Sequence, residues 1–278
     1  MALAIATNNA ALNAAASASS VNRDMETSMA RLSSGKRINS ASDDAAGVAI
    51  SSRLSAEIRG TDQAIRNSLD GQALIDTAEG AHKEIENILQ RMREVAVQSN
   101  NDTNNAQDRA NLQAEMNAMA TEIDRIAGTT TWAGTNLMDA TTSSFSFQVG
   151  SATGAKNQIA VSIKTMNAAG LTVEAADLDI DDTSAKRLTA IVNVDAAIKA
   201  VNDQRSELGA VSNRLNHTVN NLTNISTNLS AAKGGIEDAD FALETTNLAK
   251  NQILQQASTA MLAQANASKQ NVLSLLQG

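Results

Sequence analysis

The sequence predicts a mainly α-helical chain: a long coiled-coil bundle carrying one small β-hairpin region. Three observations lead there. Among 278 residues there is no proline and only 14 glycines, so little along the chain breaks a helix. Apolar residues recur at alternating steps of three and four over long stretches. Only one segment, from Gly128 to about Asp182, switches to Thr, Ser and Gly with period-two alternation. The apolar content is 42% but the aromatic content only 1%, so the core is thin and aliphatic, as suits helices packed side by side.

At the N-terminal end the first 22 residues carry no charged side chain, and Met25, Met29 and Leu32 mark one helical face. The C-terminal end matches it. After Lys250 the only charge is Lys269, and Leu254, Ala257, Met261, Ala265, Ser268, Val272 and Leu275 repeat at helical spacing. Such narrow, small-residue faces do not hold isolated helices in water. The two ends are therefore expected to pair with each other and with copies on neighbouring chains, and to be loose in the free monomer.

Inside these ends Leu74, Ala78, Ala81, Ile85, Ile88, Met92 and Val95 form three unbroken heptads, a coiled-coil seam. Asn100 to Asn105 reads as a turn, after which Leu112, Met116, Met119, Ile123 and Ile126 resume the pattern. A third segment supplies Leu188, Ile191, Val194, Ile198 and Val201, then Leu208, Val211, Leu215, Leu222, Ile225 and Leu229, with Arg205 and Thr218 interrupting its seam. Three antiparallel helices with these seams can bury one another, each fully buried Leu or Ile contributing roughly 1.5 to 3 kcal/mol before ordering entropy. Between the second and third helices, Phe145, Phe147 and Val149 alternate, as do Ile159, Val161 and Ile163 across turn material at Gly150 to Asn157, which predicts a β-hairpin. Leu171 and Val173 suggest a further short strand. Ser34 and Gly35 near one end, and Gly234 and Gly235 near the other, are hinge candidates.

Several functions are excluded as expectations. A net charge of −8 and a pI near 4.8 argue against nucleic acid as partner. Without cysteine there are no disulfides, thiolates or Cys-type zinc sites. His82 and His217 have no second ligand at metal spacing, and His82, Lys83, Glu84 does not make HExxH, so no metal and no cofactor are expected. Asp43 and Asp44 read as helix-start residues rather than as an acid and base. No G-x-S-x-G context surrounds any serine, and no catalytic residue is expected. The N-x-S/T sequons at Asn216, Asn221, Asn224 and Asn228 fall on one continuous helix, so chance accounts for them. The opening residues lack the pattern of a cleavable secretory signal, and no stretch is long enough to insert in a membrane.

From Arg31 to Ile50 the sequence reads RLSSGKRINSASDDAAGVAI, which resembles the N-terminal signature of bacterial flagellins. The likeness continues through Arg59 and Gly60, Arg66, Asn67, Asp70 and Gly71, Thr77 to Gly80, QRMREVAVQ at Gln90 to Gln98, EIDRI at Glu122 to Ile126, and TTWAGTNLMD at Thr130 to Asp139. It resumes with IEDADFA from Ile236 and closes on VLSLLQG. Together these cover roughly residues 1 to 140 and 185 to 278.

The resemblance implies a structural subunit, not an enzyme, that polymerises into the helical flagellar filament for motility. The alternative is a hook-filament junction protein, which shares terminal coiled coils. It implies a terminal coiled-coil domain (D0) of residues 1–44 and 235–278, and a helical domain (D1) of 45–234 with its hairpin region at about 129–182. There is no room for outer D2 or D3 domains. Met25, Met29, Leu32, Leu254, Ala257, Met261, Val272 and Leu275 become the D0 assembly seam. Arg31, Leu32, Gly35, Arg37, Ile38, Asn39, Asp43, Asp44 and Gly47 become the domain-join motif. Gln90, Arg91, Glu94 and Glu115 match positions contacted by animal innate-immune receptors. The implied partners are further copies of the chain, an export chaperone, and the cap and hook-junction proteins; the implied location is outside the cell, in the filament, after export without a cleavable signal.

Overall fold

The computed structural model describes residues 7–138 and 144–277, with side chains described as far as Ser268. Long helices dominate it: α1 (Asn9–Ser34), α2 (Ala45–Ser99), α3 (Ala106–Thr129), α4 (Ser184–Glu237) and α5 (Phe241–Gln277). Four short strands, β1 (Thr131–Trp132), β2 (Thr135–Asn136), β3 (Ser144–Gln148) and β4 (Gln158–Ser162), lie between α3 and α4. The chain divides into two compact units, one of Met1–Ala56 with Asn228–Gly278 and one of Glu57–Thr227. This division falls within α2 and α4; the sequence reading put the divide beside helix ends, at 44/45 and 234/235.

Unit 57–227 holds the whole buried apolar cluster, from Leu74 to Leu215. Its α2 seam is broader than a strict heptad. Leu74, Ala78, Ile85, Met92 and Val95 are buried as expected, but Ile75, Leu89 and Ala96 are buried beside them while Ala81 and Ile88 are only partly so. A helix flanked by two partners needs a wider apolar stripe than a two-stranded coil does. On α3, Met116 and Ile123 are buried, and Leu112, Met119 and Ile126 half-buried.

Ion pairs and hydrogen bonds set the helix directions. Arg91 on α2 meets Glu115 on α3, and Arg109 donates to the Ser99 carbonyl. Arg93 pairs with Asp195 on α4, and Asp62 accepts from Ser226. Helix α2 is thus antiparallel to α3, to which a turn joins it, and to α4, so α3 and α4 run parallel. The 54 positions between them bring the chain back along α3: Ala168 N–H donates to Asp124 and Ile180 N–H to Gln113.

On α4 the corrections are local. Val194, Val201, Leu208, Val211, Leu215 and Leu222 are buried, yet Leu188 (52%) and Ile225 (37%) are exposed, and Ile191, Ile198 and Leu229 are half-buried. The seam passes through Gln204, not Arg205: Gln204 is fully buried, and Arg205 instead reaches Glu79 at 2.8 Å and Glu86 on α2. Gly234 and Gly235 lie inside α4, which continues to Glu237 because the Asp238 N–H still closes a helical bond on the Gly234 carbonyl.

The hairpin β3–β4 is antiparallel with Phe147 opposite Ile159 and Phe145 opposite Val161. It rests on α2, where Asn67 donates to the Gln148 carbonyl and the Phe147 ring lies 3.2 Å from where a Cβ on Gly71 would project. That approach is what a bare glycine in mid-helix permits. A two-residue hairpin, β1–β2, turns through Ala133 and Gly134, both at positive φ. Leu171 and Val173 form no strand. Their N–H groups donate to Asn167 and Ala168 in consecutive turns, with Thr172 at φ 58°; the alternation there reports burial of both residues, not pairing.

Candidate functional site

Unit 1–56 with 228–278 brings the two chain ends together. Helix α1 starts at Asn8, whose side chain accepts from the Ala11 N–H. Asn8 itself donates to the Ala265 carbonyl, Gln255 donates to Asn22, and Arg31 pairs with Glu244 at 3.0 Å, so α1 and α5 run antiparallel.

The buried face of this pair is apolar on α1 and mixed on α5. On α5 the covered positions are Glu244, Leu248, Asn251, Gln255, Ser258, Leu262 and Ala265, a strict alternation of four and three; Glu244 (5%), Asn251 (9%) and Ser258 (8%) are the most buried. On α1 they are Ala11, Ala14, Ala18, Val21, Met25, Ser28 and Leu32. Both runs are heptads; that of α5 sets Glu244, Asn251, Gln255 and Ser258 between Leu248 and Leu262, so a filter for large apolar side chains catches it only in part. Of the sequence-predicted seam, Met25 and Leu32 therefore face α5. Met29 (54%), Leu254 (40%), Ala257 and Met261 (64%) sit one position off it and remain exposed. Val272 and Leu275 lie outside the described side chains. Leu12, Phe241, Leu243 and Ile253 add further exposed apolar surface to the same two helices.

Two segments far apart in sequence meet at the end of this pair. Helix α1 stops at Ser34, and Gly35 takes the left-handed conformation (φ 70°) that ends a helix without a Cβ clash. Lys36 then forms an isolated antiparallel bridge with Asp238: Arg37 N–H donates to the Glu237 carbonyl at 2.6 Å, and Ala239 N–H to the Gly35 carbonyl at 3.0 Å. Lys36 pairs with Glu237 at 3.1 Å, and the Arg37 guanidinium donates to the Ile236 carbonyl. Asp43 accepts from the N–H groups of Ser40 and Asn39, which hold its carboxyl below the usual range, Ser40 contributing most. Asp44 caps α2 through the Gly47 N–H at 2.9 Å, and buried Ile38 lies against Gly47. Asp240 caps α5 through the N–H groups of Ala242 and Leu243. The reading of Asp43 and Asp44 as helix-start residues holds for Asp44, while Asp43 closes the turn just before it.

In the other unit, Arg91 donates to both Glu94 and Glu115, and with Gln90 the four form a solvent-facing cluster across α2 and α3. Their neighbour Val95 points into the core. His82 is wholly buried, with neither ring nitrogen hydrogen-bonded, and His217 is exposed. Among the described residues no group of three or more His, Cys, Asp or Glu could hold a metal ion, and no helix is long and apolar enough to cross a membrane.

The family model for the bacterial flagellin N-terminal helical region matches residues 5–143, and that for the C-terminal helical region residues 191–276. A flagellin of Halalkalibacterium halodurans is 48% identical over 252 residues, covering 91% of this chain and 92% of that relative. A flagellin of Bacillus subtilis is 43% identical over 301 residues, covering 97% and 98%. Among solved structures, a crystal structure of Bacillus cereus flagellin is 35% identical, covering 60% of this chain and 94% of that one with a TM-score of 0.49.

Proposed function

The chain belongs to the bacterial flagellin family, structural subunits of the flagellar filament, and from that premise we propose how its parts divide the task. The coiled-coil pair α1–α5 is the polymerising element (D0), and the helical unit with the hairpin (D1) is the body that it carries. The observation that carries this reading is the one-position offset of the apolar series on α5. The chain's own pairing uses Glu244, Asn251 and Ser258, and leaves Leu254, Ala257 and Met261 free for another copy.

A head-to-tail contact that does not close on itself repeats into a helical filament. Exposed apolar area removed from water drives it, at about 25 cal/mol per Å². The motif from Arg31 to Gly47, clipped to Ile236–Asp240, fixes how the chain leaves and re-enters the α1–α5 pair. A hook-filament junction protein is not favoured, because both chain ends match flagellin family models and the relatives at 43–48% identity are flagellins. The filament places the chain outside the cell. Export without a cleavable signal, with a chaperone on the C-terminal helix, and cap and hook-junction contacts at the filament ends complete the proposal. The exposed cluster Gln90, Arg91, Glu94 and Glu115 is its surface toward host receptors.

The test is polymerisation of the purified chain on short filament seeds, viewed by negative-stain electron microscopy. Long filaments of uniform diameter are expected. Monomer that persists on seeding, with the helical body folded, would overturn the assignment.

A further inference from the structure

We propose that Met29 and Met261 are oxidation sites through which hydrogen peroxide switches off assembly of this chain; the idea rests on the assembly reading above. Methionine side chains here range from shielded to exposed. Met92, Met116, Met138 and Met166 are at most 1% exposed, in the core of unit 57–227. Met29 and Met261 are 54% and 64% exposed on the outer faces of α1 and α5, while Met25 within the pair and Met119 on α3 are half-covered.

No cysteine is present to consume an oxidant first, there is no tyrosine, and the one tryptophan, Trp132, is half-buried. Exposed thioether sulfur is thus the most accessible oxidisable group on the described surface. A sulfur lone pair attacks one peroxide oxygen. The S–O bond forms as the O–O bond breaks, the sulfur gives up two electrons, and the second oxygen leaves as water with both peroxide protons.

The product is a methionine sulfoxide, a strong dipole where the free monomer had a flexible apolar side chain suited to filling an uneven contact. In the monomer that dipole is hydrated. Between subunits it loses water without a built partner, and the concentration needed for polymerisation rises by about tenfold or more for each site. The four core methionines are shielded, so the body stays folded while assembly stops. Reduction of the sulfoxides reverses the effect.

The test uses the full chain as monomer, exposed briefly to dilute hydrogen peroxide. Peptide mass spectrometry is expected to find the added oxygen on Met29 and Met261 ahead of Met92, Met116, Met138 and Met166, with helicity unchanged by circular dichroism. The treated chain should no longer extend seeds at a concentration that suffices for untreated chain, and methionine sulfoxide reductases A and B should restore extension. The treated double variant Met29→Leu, Met261→Leu should extend as its untreated form does. Unimpaired extension by chain carrying both sulfoxides would overturn the proposal, as would equal loss in the treated double variant, first oxidation of the core, or no rescue by the reductases. Failure of untreated wild-type chain to extend seeds would instead overturn the assembly reading beneath it.

Discussion

The buried side chain of Gln204 on α4 donates to the main-chain carbonyl of Ser162 at 2.9 Å, at the end of β4. Its oxygen faces the Lys164 N–H at 3.4 Å. A polar residue in an apolar seam thereby fastens the end of the hairpin. Gln204→Leu strips both backbone groups of their partner and is expected to lower the stability of the helical body by about 1–3 kcal/mol. Urea unfolding followed by fluorescence of Trp132 would measure it. An unchanged midpoint would show that the hairpin is held without this contact.

His82 makes stability depend on pH. Burial pushes its pKa down from 6.5 to about 4; the Glu79 carboxylate opposes that and the Arg205 guanidinium adds to it. The folded value lies below the unfolded one, so the native state binds fewer protons. The full contribution is present above 6.5, is lost as pH falls from about 6.5 to about 4, and levels off below. The loss amounts to about 3 kcal/mol. His82→Leu should flatten this part of the pH profile. The readout is the difference between wild type and variant, since carboxylates titrate in both, and parallel profiles would refute the assignment.

Asp44 and Asp240 each cap a helix through its first N–H groups. Replacing either by Ala should cost about 1 kcal/mol of local stability, and replacement by Ser much less. Hydrogen exchange at Gly47, and at Ala242 and Leu243, is the sensitive measurement. Faster exchange confined to the helix whose cap was removed is expected; no change would mean that packing alone holds these first turns.

Deleting residues 251 to 278 removes Leu254, Ala257 and Met261 but touches nothing in the buried cluster from Leu74 to Leu215. The truncated chain should keep the unfolding midpoint of its helical body yet form no filaments in the seeding assay. Filaments from it would refute the role of α5.

Much of this architecture is legible in the sequence. The heptads of α2 and α3, the turn at Asn100 to Asn105 and the existence of the hairpin follow from periodicity, because there the buried residues are large and apolar; its register, Phe147 opposite Ile159, does not. The α5 side of the α1–α5 seam is masked because its most buried positions, Glu244, Asn251 and Ser258, repeat at seven as polar residues; the apolar series Leu254, Ala257 and Met261 beside them is turned outward. Arg205 looked like a fault in the α4 seam because a buried Gln204 can satisfy its amide only through backbone far away in sequence. That α3 and α4 run parallel follows from where the connecting chain goes, which local periodicity does not encode.

The hydrogen bond from Asn8 to the Ala265 carbonyl spans 257 positions of sequence. Among the described hydrogen bonds it closes the longest loop, although the entropy of closure grows only with the logarithm of length. It also acts as a clock. The helical body can form from residues that are already adjacent, but the terminal pair cannot close until residue 265 has arrived. A chain still being made is therefore silent as a building block, and falls into step only once its last helix is free.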